Sequence, residues 1–131
     1  MHPAPPQPPM KPYPLVAVVE DDPSLLGALT FALRTERYDV AAYGTAARAL
    51  ADLRPCSCIV TDLRLPDIDG LTLIAQLRSR GVDAPAILIT SNPDAQCRRR
   101  AAEAKVTIVE KPLLGSELNR LIASAIGRAG S

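Results

Sequence analysis

The sequence is poor in the groups on which many functions depend. It has one histidine, His2, which sits in a proline-dense stretch and is assigned no role. It has three cysteines, Cys56, Cys58 and Cys97. An odd count and a C-S-C spacing fit neither a zinc knuckle nor a thioredoxin-type pair. They read instead as small apolar side chains on a strand and a helix. No apolar run is long enough to span a bilayer, and the N-terminus lacks the apolar core of a signal peptide. Excess charge of one sign is also missing. The formal net charge is +1, which gives no general reason to expect nucleic-acid or membrane binding. A cytoplasmic location is expected.

What remains suits one globular domain. The chain has 131 residues, 47% of them hydrophobic and 22% charged. That is enough to bury a core without disulfides or metals. Residues 1–14, MHPAPPQPPMKPYP, are half proline and read as a flexible leader in extended or polyproline form. Docking of this leader on a partner or a neighbouring subunit is the other reading. The pattern then changes abruptly and suggests a domain over 15–128, with 129–131 as a tail.

Within the domain, strand and helix alternate five times. LVAVV, YDVAAY, SCIVT, PAILIT and VTIVE read as strands. After the first strand, Asp22 can cap a helix and Pro23 suits its first position. Leu25, Leu26, Leu29, Phe31, Ala32 and Leu33 are expected mostly along one face of that helix. Thr45 can cap the second helix. The third runs from Leu71 to Ser79 and ends at Gly81. Asn92 is expected to cap the fourth, with Pro93 in its first turn, and Ser116 the fifth. The first, third and fourth strands are apolar throughout, as in parallel strands covered on both faces. The expected fold is α/β, a single doubly wound domain.

The strand ends carry the chemistry. Glu20 and Asp21 follow the first strand. Asp62 ends the third, Thr90 the fourth, and Lys111 follows the fifth. Ligands of open parallel sheets bind outside the carboxyl ends of the strands. Three carboxylates there would repel one another, and a hard divalent ion such as Mg²⁺ would relieve this. Such an ion can also hold a phosphoryl group near a carboxylate nucleophile. Lys111 and Thr90 can pair with phosphoryl oxygens. Asp22 reads as a helix cap, and Asp67 and Asp69 as turn formers.

VAVVEDD, IVTDLRLPDIDG, ILITS and VEKP, in this order and spacing, resemble the receiver domain of bacterial two-component response regulators. The resemblance covers residues 15 to about 128. It implies a flavodoxin-like receiver fold, a five-stranded sheet of order 2-1-3-4-5 with five helices. It implies that Asp62 is the phosphoacceptor, that Thr90 and Lys111 bind the phosphoryl group, and that Glu20, Asp21, Asp62 and the backbone carbonyl of Arg64 hold Mg²⁺. The implied donor is a sensor histidine kinase. A downstream protein target, a phosphotransfer protein or a second copy are further partners, with no direct nucleic-acid or membrane contact. The wording of VTDLRLPD and VEKP is most similar to receivers joined to DNA-binding domains in nitrogen-fixation-type regulators.

Some positions depart from the family. Ile108 stands where an aromatic residue, three positions before the lysine, usually couples to Thr90. Ala104 and Lys105 replace a common Gly-Ala pair. Arg64 and Asn92 occupy places that tune how long the phosphoryl group lasts. Arg98, Arg99 and Arg100 form a solvated face or a partner surface. The leading expectation is a single-domain response regulator, since the sequence ends just after the fifth helix. A receiver fragment of a longer DNA-binding regulator has the same sequence features. An unphosphorylated interaction module is a third reading, favoured only by Ile108. A phosphatase of the haloacid dehalogenase type would want an acid two residues after the nucleophile, and Arg64 is there instead. The chain is therefore expected not to be an enzyme.

Overall fold

Short β-branched and aliphatic runs form the strands in the computed structural model, which describes residues 13–52, 54–113 and 115–129. They are β1 (Leu15–Val19), β2 (Asp39–Tyr43), β3 (Cys58–Asp62), β4 (Ala86–Thr90) and β5 (Thr107–Glu110). All pair in parallel in one sheet of order β2-β1-β3-β4-β5. The connections are α1 (Pro23–Thr35), α2 (Ala46–Asp52), α3 (Gly70–Ser79) and α4 (Ala95–Glu103), and α5 (Glu117–Ala129) follows β5. This is the expected doubly wound architecture. Residues 1–12 of the expected leader, and residues 130–131 of the expected tail, lie outside the described residues.

Alternation along the central strands divides the core in two. Ile59 of β3 and Leu88 of β4 point to one face and meet Leu73, Ile74 and Leu77 of α3. Cys58 and Val60, with Ile87 and Ile89, point to the other face. There they meet Leu29 and Leu33 of α1 and Leu118 and Ile122 of α5. Every residue of β3 and β4 is buried. Continuous apolar runs are what a strand covered on both faces requires.

Local signals set most of the helix ends. The Asp22 carboxylate accepts from the Ser24 amide at 2.9 Å, with Pro23 next to it in the first turn. The Thr45 hydroxyl accepts from the Arg48 amide at 3.2 Å. Gly81, with φ of 90°, follows the end of α3. The start of α4 differs from expectation. Asn92 takes a left-handed φ of 47°, not the extended backbone of a cap residue. Asp94 is the cap, and its carboxylate accepts from the Cys97 amide at 2.7 Å.

The buried face of α1 is also narrower than expected. Leu29 and Leu33, one turn apart, are buried, whereas Phe31 is 72% exposed and Ala32 is exposed. Two residues advance a helix by about 200°, so Phe31 must face away from the sheet that holds Leu29. Cys58 and Cys97 are buried and Cys56 is half-buried, all as free thiols. Burial pushes the Cys58 thiol up to about 12, so it stays protonated and unreactive.

Leu73→Ala should lower the unfolding free energy by about 2 to 5 kcal/mol, because its side chain fills the α3–sheet layer. Phe31→Ala should change it by no more than about 0.5 kcal/mol. Urea titrations of both variants check the pair. Equal losses would show that α1 packs through a different face.

Candidate functional site

The sheet aims its polar residues by continuing its hydrogen bonding past the strand ends. The Glu20 amide donates to the Tyr43 carbonyl at 3.0 Å, and the Leu63 amide to the Ile89 carbonyl at 3.2 Å. The Lys111 amide donates to the Thr90 carbonyl at 2.9 Å. The backbones just beyond β1, β3 and β5 are thus held in register. Their side chains meet at the carboxyl edge of the sheet.

Lys111 is the centre of the cluster. Its Nζ lies 2.8 Å from Asp62 Oδ2 and 3.4 Å from Glu20 Oε1. Glu20 and Asp62 are both buried. Glu20, Asp21 and Asp62 each bring a carboxylate oxygen within 4.8 Å of the others'. Burial, then the hydrogen bond and charge of Asp62, push the Glu20 carboxyl up to about 7, against the opposing pull of Lys111. Burial lowers the Lys111 ammonium, but Asp62 and Glu20 outweigh it and hold the group above its usual range.

The residues expected at the site fall into two groups. Glu20, Asp21, Asp62 and Lys111 come together as one cluster. Arg64 joins through its backbone amide, which donates to Asp62 Oδ1 at 3.2 Å. Thr90 is buried at the end of the adjacent strand, one residue beyond Ile89, the register partner of Asp62. Its hydroxyl makes a long contact, 3.4 Å, with the Ser91 carbonyl and does not reach the carboxylates. Asp22 turns aside to cap α1.

These residues fit a hard divalent cation. The donor set is oxygen only, and one oxygen of buried Glu20, Oε2, has no hydrogen-bond partner. A buried polar atom without a partner is costly, and a cation would satisfy it.

The loop after Asp62 does more than turn the chain. Asp67 accepts from the amides of Ala46 and Ala47 at 3.2 and 2.8 Å, so it caps α2 from 20 residues away. Desolvation raises its carboxyl, but those amides outweigh this and keep it below its usual range. Asp69 caps α3 through the Thr72 amide at 2.7 Å and pairs with Arg100 of α4. Gly70 is needed for closeness: a Cβ there would lie 2.1 Å from the Asp62 carbonyl oxygen. Only glycine lets α3 start directly against the end of β3. Sequence reading saw Asp67 and Asp69 as turn formers. Thr72 lies only three residues from Asp69, but Arg100 and the α2 amides are set by tertiary contact, and the one available signal for Asp67 was a first turn of α2 without an acid.

Comparison with known proteins identifies the family and the fold. The sequence matches the family described as response regulator receiver domain over residues 16–123. It is 34% identical over 117 residues to nodulation protein W of Bradyrhizobium diazoefficiens, covering 87% of this chain and 52% of that protein. It is 28% identical over 118 residues to the transcriptional regulatory protein FixJ of the same organism, covering 87% and 57%. The chain therefore spans about half the length of these curated relatives. Among solved structures, a CheY-like receiver domain from Methanospirillum hungatei superposes with a TM-score of 0.85 at 21% identity, covering 90% of this chain and 97% of that one. The non-phosphorylated HemR receiver domain from Leptospira biflexa gives 0.80 at 30% identity, covering 86% and 94%.

The raised Glu20 carboxyl makes stability depend on pH. Its folded value, about 7, lies above the usual 4.5, so the native state binds the extra proton between these values. Stability from this group should fall as pH rises through that window in metal-free protein. Glu20→Gln in chelator should be more stable than the parent by up to about 3 kcal/mol at pH 8, with the gain shrinking towards pH 5. Thermal melts across that range check it. A gain independent of pH would show that Glu20 is not the titrating group.

Proposed function

The chain belongs to the response regulator receiver domain family, and on that premise we propose that it is a phosphoacceptor switch of a two-component system. Asp62 takes a phosphoryl group from a sensor histidine kinase, with Mg²⁺ held beside it. The single observation that carries this reading is the cluster at the sheet edge, in which Lys111 sits 2.8 Å from Asp62 and three carboxylates converge within 4.8 Å.

The chemistry follows from these groups. A carboxylate oxygen of Asp62 attacks phosphorus. The new O–P bond forms as the P–N bond to the donor histidine breaks, and the leaving imidazole keeps the bonding pair. Lys111, released from Asp62, follows the transferred charge and pairs with a phosphoryl oxygen. The Thr90 hydroxyl, bound only weakly to Ser91, is available to donate to another. The Arg64 amide, already directed at Asp62, keeps the acyl phosphate oriented. Glu20, Asp21, Asp62 and the Arg64 carbonyl would hold Mg²⁺, which supplies positive charge against the incoming phosphoryl oxygens. Glu20 must ionise to serve as such a ligand, which ties the ion's binding to pH.

The switch then changes binding to a downstream protein or passes the phosphoryl group on, acting alone or as a homodimer. FixJ is named a transcriptional regulatory protein, and in a longer chain of that kind a separate domain would contact DNA. This domain, with a net charge of +1, is not expected to do so itself. Among the described residues no helix is long and apolar enough to cross a membrane, and a cytoplasmic location goes with the proposal. Turnover of free phosphate esters is not part of it. The place two residues after Asp62, where a general acid would help, is held by Arg64.

Intact mass after incubation with Mg²⁺ and a small phosphodonor tests the core of the proposal. The parent protein should gain one phosphoryl group, and Asp62→Asn should gain none. No adduct on folded parent protein would favour an interaction module instead. A second expectation concerns lifetime. If the Arg64 side chain shields the acyl phosphate from water, Arg64→Asn should shorten the half-life of the adduct. An unchanged decay rate would remove Arg64 from that role.

A further inference from the structure

Helix α4 is held in a different way from its neighbours. Helix α3 buries Leu71, Leu73, Ile74 and Leu77, whereas α4 buries only Cys97 and Ala101. Two small side chains provide little apolar area to fix a helix of nine residues. Its position therefore depends more on polar contacts, and arginines supply them. Arg98 pairs with Glu110 at 2.7 Å, but both side chains are more than half exposed, so that pair contributes little. Arg78 of α3 donates to the Ala104 carbonyl at the C-terminal end of α4.

Arg100 is different in geometry and in partner. Its Nη1 lies 3.0 Å from Asp69 Oδ2 and its Nη2 lies 3.1 Å from Asp69 Oδ1, a two-pronged pairing. Such a fork fixes orientation as well as distance, and it is the form in which a partly exposed pair counts. Nη2 is also 3.5 Å from the Thr72 hydroxyl. Burial raises the Asp69 carboxyl, but Arg100 and the Thr72 amide outweigh this and hold it below its usual range, so the charge is present at neutral pH.

Asp69 closes the loop that starts at Asp62. The loop is short and doubly tied: the Gly70 amide donates to the Leu63 carbonyl at 2.8 Å, and Asp67 caps α2. A shift at Asp62 cannot be absorbed within the loop without disturbing one of these ties. Arg100 is the two-pronged contact by which the loop reaches α4. The β5 residue that packs into the same layer as α4, Ile108, has neither a ring nor a polar group with which to report a change at the sheet edge.

We infer that Arg100 is a positioning residue that ties α4 to the acceptor loop, so that modification of Asp62 is transmitted to α4 through the Asp69–Arg100 pair. This inference rests on the phosphoacceptor reading. It assigns the surface that responds to the small-side-chain face of α4 and gives the basic run Arg98–Arg100 three distinct parts. Arg98 pairs with β5, Arg100 ties the loop, and Arg99 has no ion-pair partner among the described residues.

Hydrogen exchange of the α4 amides, before and after treatment with Mg²⁺ and a small phosphodonor, decides the matter. The full chain is compared with Arg100→Gln, Arg100→Lys, Asp69→Asn and the control Arg99→Gln. Asn at position 69 keeps an oxygen to cap α3 but loses the charge. Intact mass on the same samples reports the adduct separately. The parent and Arg99→Gln should show a change in α4 exchange on modification. Arg100→Gln and Asp69→Asn should take the adduct as readily but lose most of that change, with α4 already exchanging about threefold faster beforehand. Arg100→Lys should restore part of it. A full-sized α4 response in Arg100→Gln, or an equal loss in Arg99→Gln, would overturn the inference. So would an α4 that does not respond in the modified parent. If the parent takes no adduct, the phosphoacceptor reading fails by itself. The tie is then decided by the unmodified proteins, supported if Arg100→Gln alone loosens α4 and overturned if Arg99→Gln matches it.

Discussion

The contact between Lys111 and Asp62 is the interaction on which the site depends. Asp62 and Glu20 are both buried at the sheet edge, and Lys111 is the cation that reaches them, at 2.8 and 3.4 Å. Taking charges out of water is expensive, and removing one partner from such a set leaves an uncompensated charge. One lysine cannot neutralise three carboxylates. The remainder shows in Glu20, whose carboxyl is pushed up to about 7 and whose Oε2 has no partner. The cluster is thus stable enough to fold and still short of positive charge. That shortfall fits the oxygen-only cluster to a divalent cation.

The rest of the domain holds this tension in place. Strands β3 and β4 are buried along their whole length and carry Asp62 and Thr90 to one edge. The continuing backbone bonds at Glu20, Leu63 and Lys111 keep the side chains from drifting. Helix α3 presses so closely on the acceptor strand that only Gly70 fits. These features make one side of the site rigid. Helix α4 is the contrasting element, with two small buried side chains and a set of arginine contacts. A deep apolar anchor tolerates little displacement, whereas a helix held by ion pairs can shift when the charges around it change. The proposed switch would use this division between a closely packed sheet edge and a helix held by arginine contacts.

The receiver-family match covers residues 16–123, which include Glu20, Asp21, Asp62 and Lys111. The chain aligns with about half the length of nodulation protein W and FixJ. Its departures, Ile108 and the Lys105 that takes a left-handed φ of 57° after α4, lie on one flank.

The fold and the charged cluster were legible in the sequence because both depend on local rules. Continuous apolar strands alternating with amphipathic helices specify a parallel sheet. A parallel sheet brings all its strand ends to one side, so Glu20, Asp21, Asp62, Thr90 and Lys111 had to be neighbours. Asp22 and Gly81 were readable for the same reason, since their partners lie within a few residues. The cap of α4 falls on Asp94 and not on Asn92, because Asn92 takes a left-handed φ of 47° whereas Asp94 is extended and its carboxylate reaches the Cys97 amide. Phe31 was misplaced because a run of apolar residues does not say which of them a single helix face can bury. Asp69 caps α3 through the nearby Thr72 amide, but the capping of α2 by Asp67 and the Asp69–Arg100 pair were decided by tertiary structure alone. Each joins groups 20 or more residues apart, and no spacing rule relates the partners. The sequence by itself determined where the charged groups would gather. Packing decided which of them would be tied together, because distance between side chains is set by how the helices lie on the sheet.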